Sequence, residues 1–270
     1  MRAAGLLALL LVPLFGSGPA SAGDAEEVLR LTLDGRYWEA AHLGRDCGTP
    51  ESLAQGAGAL SLLGGYVAPE GERDPALREA VAMSTKARRR AEAEGLTDSE
   101  VLALVHFQEG QALGRLAEIL PAEERQDYAE DVRDAFEESL RHNPQGWEAH
   151  AGLANWHAKV MVASDSVAGG IGAFLANVIY GATYEEAKLH RDAAATIPKS
   201  PGEEKVFLLE SAEIRLLLGA NGMVEAARRD LEASLAIEPP NRLTEAVHKI
   251  AADCLEDLEG CADRLRAALQ

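Results

Sequence analysis

Alternation of β-branched or aromatic residues with polar ones is nearly absent from this sequence, and no Asn-Gly hairpin stands between such runs. A sheet is therefore excluded as the main architecture. Asn221-Gly222 lies between two helical patterns instead. G-x-S-x-G, H-E-x-x-H and P-loop patterns are missing as well, which removes common hydrolase, metalloprotease and nucleotidase designs. Gly169-Gly170-Ile171-Gly172 has the glycines of a nucleotide loop but follows no strand. Positive charge is scarce: 26 Lys and Arg stand against 44 Asp and Glu, a formal net charge of −18. Such a body repels nucleic-acid phosphates and anionic lipid surfaces, so no nucleic-acid partner is expected. The one basic cluster, Arg88-Arg89-Arg90, is followed by Glu92 and Glu94 and reads as a solvated helix end. No apolar run reaches the roughly 20 residues that span a bilayer, so no stable membrane span is expected.

Cysteine is sparse too. Cys47, Cys254 and Cys261 are an odd number, so at least one thiol stays free or pairs between molecules. On one straight helix Cys254 and Cys261 would lie about 10 Å apart, beyond bridging range. Gly260 between them could end the helix and fold Cys261 back. A 254–261 disulfide and two buried thiols are both open readings. Cys47, with His42 five positions earlier, is a weak candidate for a catalytic pair.

What is present begins at the first residue. Arg2, an apolar run to Phe15 and Ala20-Ser21-Ala22 have the layout of a cleaved secretory signal over residues 1–22. The expectation is a mature chain from Gly23 delivered to the periplasm, with helical hairpins over 23–120 and degenerate helical repeats, stretched by an apolar glycine-rich insert, over 121–270.

The body is rich in Ala, Leu, Glu and Arg at helical spacing. A helix capped by Asp24 is expected first, followed by one from Tyr37. A third runs from Pro50 to Leu63 and is stopped by Gly64-Gly65. Residues 71–74 read as loop, with Pro75 opening the next helix. Thr97 and Glu100 form a capping-box signature, and Pro121 starts a helix ending at His142. Helices follow from Trp147 to about Met161, from Tyr184 to Thr196, from Ser200 to Leu218, from Met223 to Ile237 and from Leu243 to Leu258, with a short final one from Ala262.

Three helix ends share a pattern in which a larger residue precedes a small one by three and a proline by eight. They are Phe136, Ser139, Pro144; His190, Ala193, Pro198; and Leu231, Ser234, Pro239. This resembles the second helix of a tetratricopeptide (TPR) unit. Trp147-Glu-Ala-His-x-x-Leu-Ala-x-Trp156-His157, Gly181-Ala-Thr-Tyr184-Glu-Glu-Ala187, Leu216-Leu-Leu-Gly219 and Glu238-Pro-Pro240 resemble the TPR-like proteins related to the regulator of microtubule dynamics family. The plan is also similar to the T component associated with TRAP transporters. The resemblance implies an all-α fold of antiparallel hairpins stacked as an α–α superhelix with a binding surface, and no catalytic residues. His150 and His157 depart from it, standing where the motif has large aromatics.

His150 and His157 lie two turns apart on one helix face, beside Trp147 and Trp156. A metal pair would need i, i+3 or i+4 spacing and a third ligand, so packing in a core or groove is the expectation and no metal or cofactor is assigned. An apolar, glycine-rich insert spans 162–182. Its Phe174 and Tyr180 are candidates, with Trp147, His150, Trp156 and His157, for the wall of a pocket or groove. The expected function is a non-catalytic periplasmic adaptor holding an envelope protein partner or an apolar small molecule or lipid. The alternatives are a solute-handling accessory of a TRAP-type transporter and a thiol- or metal-dependent enzyme.

Overall fold

The computed structural model describes residues 22–168, 172–219 and 222–269, with the side chains at 22, 122, 165–168 and 172–175 outside that description. Of the expected export segment, only the backbone of Ala22 falls within it. Among the described residues every regular element is helical, and the fold is all-α. The helices are α1 (Ala22–Leu33), α2 (Tyr37–Cys47), α3 (Pro50–Leu62), α4 (Glu70–Glu94), α5 (Ser99–Ile119), α6 (Ala122–Arg125), α7 (Ala129–His142), α8 (Trp147–Ala168), α9 (Gly172–Tyr180), α10 (Tyr184–Thr196), α11 (Pro201–Leu218), α12 (Met223–Ala236), α13 (Arg242–Glu256) and α14 (Leu258–Ala267). No described helix is long and apolar enough to cross a membrane.

Local chemistry sets most boundaries. Thr49 accepts from the Ser52 amide and Pro50 occupies the first position of α3. Ser200 and Glu203 close a capping box before Pro201, and Asn241 with Thr244 does the same for α13. Gly48, Gly95 and Gly219 take left-handed conformations after α2, α4 and α11.

Several boundaries differ from expectation. The cap of α5 is Asp98, which accepts from the Glu100 and Val101 amides, rather than Thr97. Residues 71–74 are helical, and Pro75 sits inside α4. Pro75 is the sixth residue of α4, beyond the four unbonded donors of the first turn, so its missing N–H costs the helix one bond, to the Gly71 carbonyl. Pro121 precedes the short α6 and a 3₁₀ turn, Gln126–Tyr128, before α7 begins. Gly64-Gly65 does not stop the chain; it carries a π-turn over Leu63–Val67. A Cβ on Gly64 would meet Leu77 Cγ at 2.5 Å, so the glycine lets α4 fold tightly over the turn. Within the insert, residues 162–168 extend α8 and 172–180 form α9, whose Ala176 is buried against α8 and α7 residues.

Most consecutive helices pack against one another, and small residues set how closely. Ala54, Ala57, Ala80 and Ala87 have no exposed surface between α3, α4 and their neighbours. Phe136 wedges between α5 and α8, where a Cβ on Gly110 or Gly152 would lie 2.9 or 2.6 Å from its ring. The repeat signal has a physical counterpart in two hairpins. Ser139 of α7 donates to the Ala103 carbonyl of α5 at 2.8 Å, and Ser234 of α12 donates to the Lys205 carbonyl of α11 at 3.0 Å. In the third match, the fully buried small residue is Ala194, one position after Ala193. Lys205 is itself fully buried, and its ammonium donates to the carbonyls of Ser234 and Ile237 and to His248 Nδ1 at 2.6, 2.9 and 3.0 Å.

The succession returns on itself. Helix α1 touches α13, and Gly35, with φ of 78°, lies against the Arg242 side chain. At the far end, Asp257 breaks the helix and caps α14 through the Gly260 amide, bringing Cys254 and Cys261 into a disulfide with Cα atoms 5.2 Å apart. The break falls at Asp257 rather than at Gly260. Gly260 leaves the space the cap fills, since a Cβ there would lie 1.9 Å from Asp257 Oδ2.

Candidate functional site: a polar-striped internal chamber

The returning helices surround a chamber of about 1030 Å³ lined from α1, α3, α5, α7, α8, α11 and α13. Its polar groups follow helix periodicity. Along α5 the chamber face carries Gln108, Gln111, Arg115 and Glu118, and along α8 it carries Glu148, Asn155 and Lys159. Glu203, Val206 and Glu210 present the α11 face. Apolar groups, among them Leu104, Phe107, Val160 and Trp156, fill the intervals.

One wall holds a connected ionic cluster. Arg115 lies over the Tyr66 ring, 4.5 Å from its centre, and donates to the Tyr66 hydroxyl, which donates in turn to Glu210 at 3.1 Å. Arg115 also reaches Glu210 at 3.6 Å and Glu118 at 3.3 Å, and Lys159 bonds Glu118. The side chains of Arg115, Glu210, Lys159 and Glu118 keep only 11, 15, 21 and 22% of their exposure, and each lines the chamber. Burial acts to raise the Glu118 carboxyl, yet Lys159 and Arg115 overcome it and hold that group at about 2. Burial pushes Glu213 up to about 7 against the pull of Lys159 and Arg115, and raises Glu210. Glu148, on the same α8 face, is pushed up to about 7 by burial, with Glu203 and Glu210 adding to it.

Other chamber groups lack partners. Among the described residues the buried side-chain atoms without a hydrogen bond are Gln108 Oε1, Arg125 Nε and Nη1, Trp147 Nε1 and Asn155 Oδ1. All four residues line the chamber. Buried polar atoms are ordinarily satisfied, because an orphan costs about 1–3 kcal/mol. Their concentration on one surface leaves a set of donors and acceptors there that water or another molecule can satisfy.

The residues singled out in the sequence divide into two groups. Trp147, Trp156 and Tyr180 line the chamber. The Trp147 ring meets Phe207 edge-on, and Trp156 Nε1 donates to the Ala129 carbonyl at 2.7 Å. The side chain of Phe174 lies outside the described residues. His150 and His157 are turned away from the chamber toward α10, where His190 joins them. His150 Nδ1 and His190 Nδ1 are 2.9 Å apart, and the His190 ring stacks on His157 with centres 5.9 Å apart. His157 Nδ1 accepts from the Thr183 amide at 3.4 Å. Burial lowers His157 and His190 to about 4. The chamber residues of α3, α5 and α11 were not visible as a set, although the α5 spacing Gln108, Gln111, Arg115, Glu118 was a readable polar stripe on an otherwise apolar helix.

Cys47 gives little support to thiolate chemistry. Burial, Asp24 and Asp46 all raise its thiol, the reverse of what activates a nucleophile. Its neighbour His42 lies 3.5 Å from Arg45 Nη1.

No family model matches the chain, and no curated protein matches it.

Proposed function

We propose that the protein is an exported, TPR-like binding protein of the periplasm, that it performs no covalent chemistry, and that it holds a small amphipathic molecule in its central chamber. The observation that carries this reading is the coincidence of two sets: the partnerless buried polar atoms and the chamber lining. The volume, about 1030 Å³, is at the upper end of small-molecule sites. Apolar intervals between polar stripes suit a ligand with an apolar body and a few donors and acceptors. Gln108 Oε1 and Asn155 Oδ1 call for donors, and Trp147 Nε1 and Arg125 for acceptors.

The test is native mass spectrometry of protein purified from the envelope, followed by extraction and analysis of the released small molecules. The reading requires a stoichiometric adduct that is lost in Val160→Trp, a substitution that projects an indole into the chamber. A wild-type mass equal to that of the bare chain, together with no uptake from an envelope small-molecule extract, would remove it.

A further inference from the structure

Among the described residues one group brings two imidazoles and a carboxylate together: His106 of α5 with Glu138 and His142 of α7, all half-buried, their nearest ligand atoms within 4.8 Å of one another. We propose that these three side chains form a binding site for a divalent transition metal, Zn²⁺ above all, at the edge of the chamber.

The helices supply the arrangement. Glu138 and His142 are four residues apart on α7, so they share one face one turn apart. This is the spacing absent between His150 and His157. The neighbouring helix α5, held against α7 by the Ser139 bond to Ala103, provides His106 opposite them. His142 also lines the chamber.

Distances decide whether an ion fits. Bonds of about 2.0–2.1 Å place neighbouring ligand atoms of a tetrahedral zinc about 3.4 Å apart. His142 Nε2 and Glu138 Oε1 are already 3.3 Å apart. The two imidazole planes are nearly parallel, 7° apart, with centres separated by 5.8 Å. Two imidazoles bound to one zinc at the tetrahedral angle have centres about 5.3 Å apart, from the same bond length plus the ring radius. The ligand atoms lie within 4.8 Å of one another against about 3.4 Å in a closed site, so binding takes reorientation of the side chains, including a turn of one imidazole out of the stacked arrangement.

The electrostatics agree. Two neutral imidazoles and a carboxylate are a zinc donor set with room for water at a further position. Burial lowers the His106 imidazole and favours the neutral form that binds metal, with His142 and Arg88 acting in the same sense and Glu138 and Glu92 opposing. Arg88 is paired away from the site with Glu92 and Glu109, while Arg141 holds the Oε2 of Glu138 and leaves its Oε1 facing His142.

The experiment is calorimetric titration of the tag-free, chelator-treated full chain with Zn²⁺ alone. One ion per chain at micromolar affinity is expected, weakened at least tenfold in His142→Ala and in Glu138→Gln. His106→Gln is a further variant should either of those fail to fold by circular dichroism. His190→Gln, in the separate histidine ladder, is expected to bind as the parent does. No zinc uptake by the folded parent at a hundred micromolar, uptake unchanged in the folded site variants, or loss in His190→Gln with retention in His142→Ala would each overturn the assignment. Because the readout is zinc alone, it is independent of whether the chamber holds a ligand.

Discussion

The Tyr66 hydroxyl donates to the Glu210 carboxylate at 3.1 Å, joining residues 144 positions apart in the chain. Arg115 lies beneath the Tyr66 ring and reaches both groups. The π-turn after α3, the middle of α5 and the middle of α11 are thus tied at one point on the chamber wall. Contacts between sequential helices would hold neighbouring hairpins together without this tie. The cluster acts between distant parts of the succession, on the wall of the chamber.

Tyr66→Phe keeps the ring over Arg115 and removes the hydroxyl, so it should destabilise the protein by about 1–2 kcal/mol in urea denaturation. Arg115→Met leaves Glu210 without its cation and Glu118 with Lys159 alone. It should cost more, about 3–5 kcal/mol, as removal of one member of a buried ionic group does. Equal effects would mean that the hydroxyl, rather than the guanidinium, anchors the cluster.

Lys205 differs, since among the described residues its ammonium forms no ion pair with a carboxylate and instead saturates three acceptors at the end of the α11–α12 hairpin. Lys205→Met should be destabilising by about 3 kcal/mol, because the carbonyls of Ser234 and Ile237 lose a charged donor while buried. A loss below about 0.5 kcal/mol in denaturant titration would show that water replaces the ammonium.

The helices were legible because their stop and start chemistry is local. Thr49-Pro50, Ser200-Pro201 and Gly219 each act within one turn. The π-turn at Gly64 was misread as a stop because its glycine answers to Leu77, a neighbour that only folding supplies. The disulfide turn was placed at Gly260 for a related reason: Gly260 makes room for the cap, while Asp257 makes the break. Trp147, Trp156 and Tyr180 stood out as large aromatics and do line the chamber. Lys159 and Glu210 did not, since a charged residue on a helix is indistinguishable from part of a solvated face until the helices are arranged around a common space. His190 and His106 were missed because their partners come from other helices.

Acid sensitivity should carry two opposed contributions. His157 and His190 titrate near 6.5 when unfolded and at about 4 when folded. Between those values the unfolded chain binds more protons, so this contribution to stability is complete above about pH 6.5 and is lost as pH falls toward 4. Glu148 and Glu213 act the other way, titrating at about 7 when folded and near 4.5 when unfolded, so acidification over that interval stabilises. In the double variant His157→Asn, His190→Gln the opposition from these two imidazoles is removed, and stability should rise more steeply from pH 7 to 4.5 than in the parent. Identical pH profiles would contradict the histidine assignment.

The disulfide closes a short loop between α13 and α14, Cys254 to Cys261. Replacing both cysteines by Ser should lower stability by about 2 kcal/mol, the loop-closure value for so short a span. The parent should lose the same amount when unfolded in the presence of reductant, and the variant should be indifferent to it.

The central claim is that the chamber is completed by a small molecule, and one measurement reaches it most directly: a crystal structure of protein purified from the envelope without denaturation. The account predicts continuous non-protein density in the chamber, with polar atoms within hydrogen-bond distance of Gln108 Oε1, Asn155 Oδ1 and Trp147 Nε1. A chamber filled by ordered water alone, with those atoms bonded to water, would contradict it.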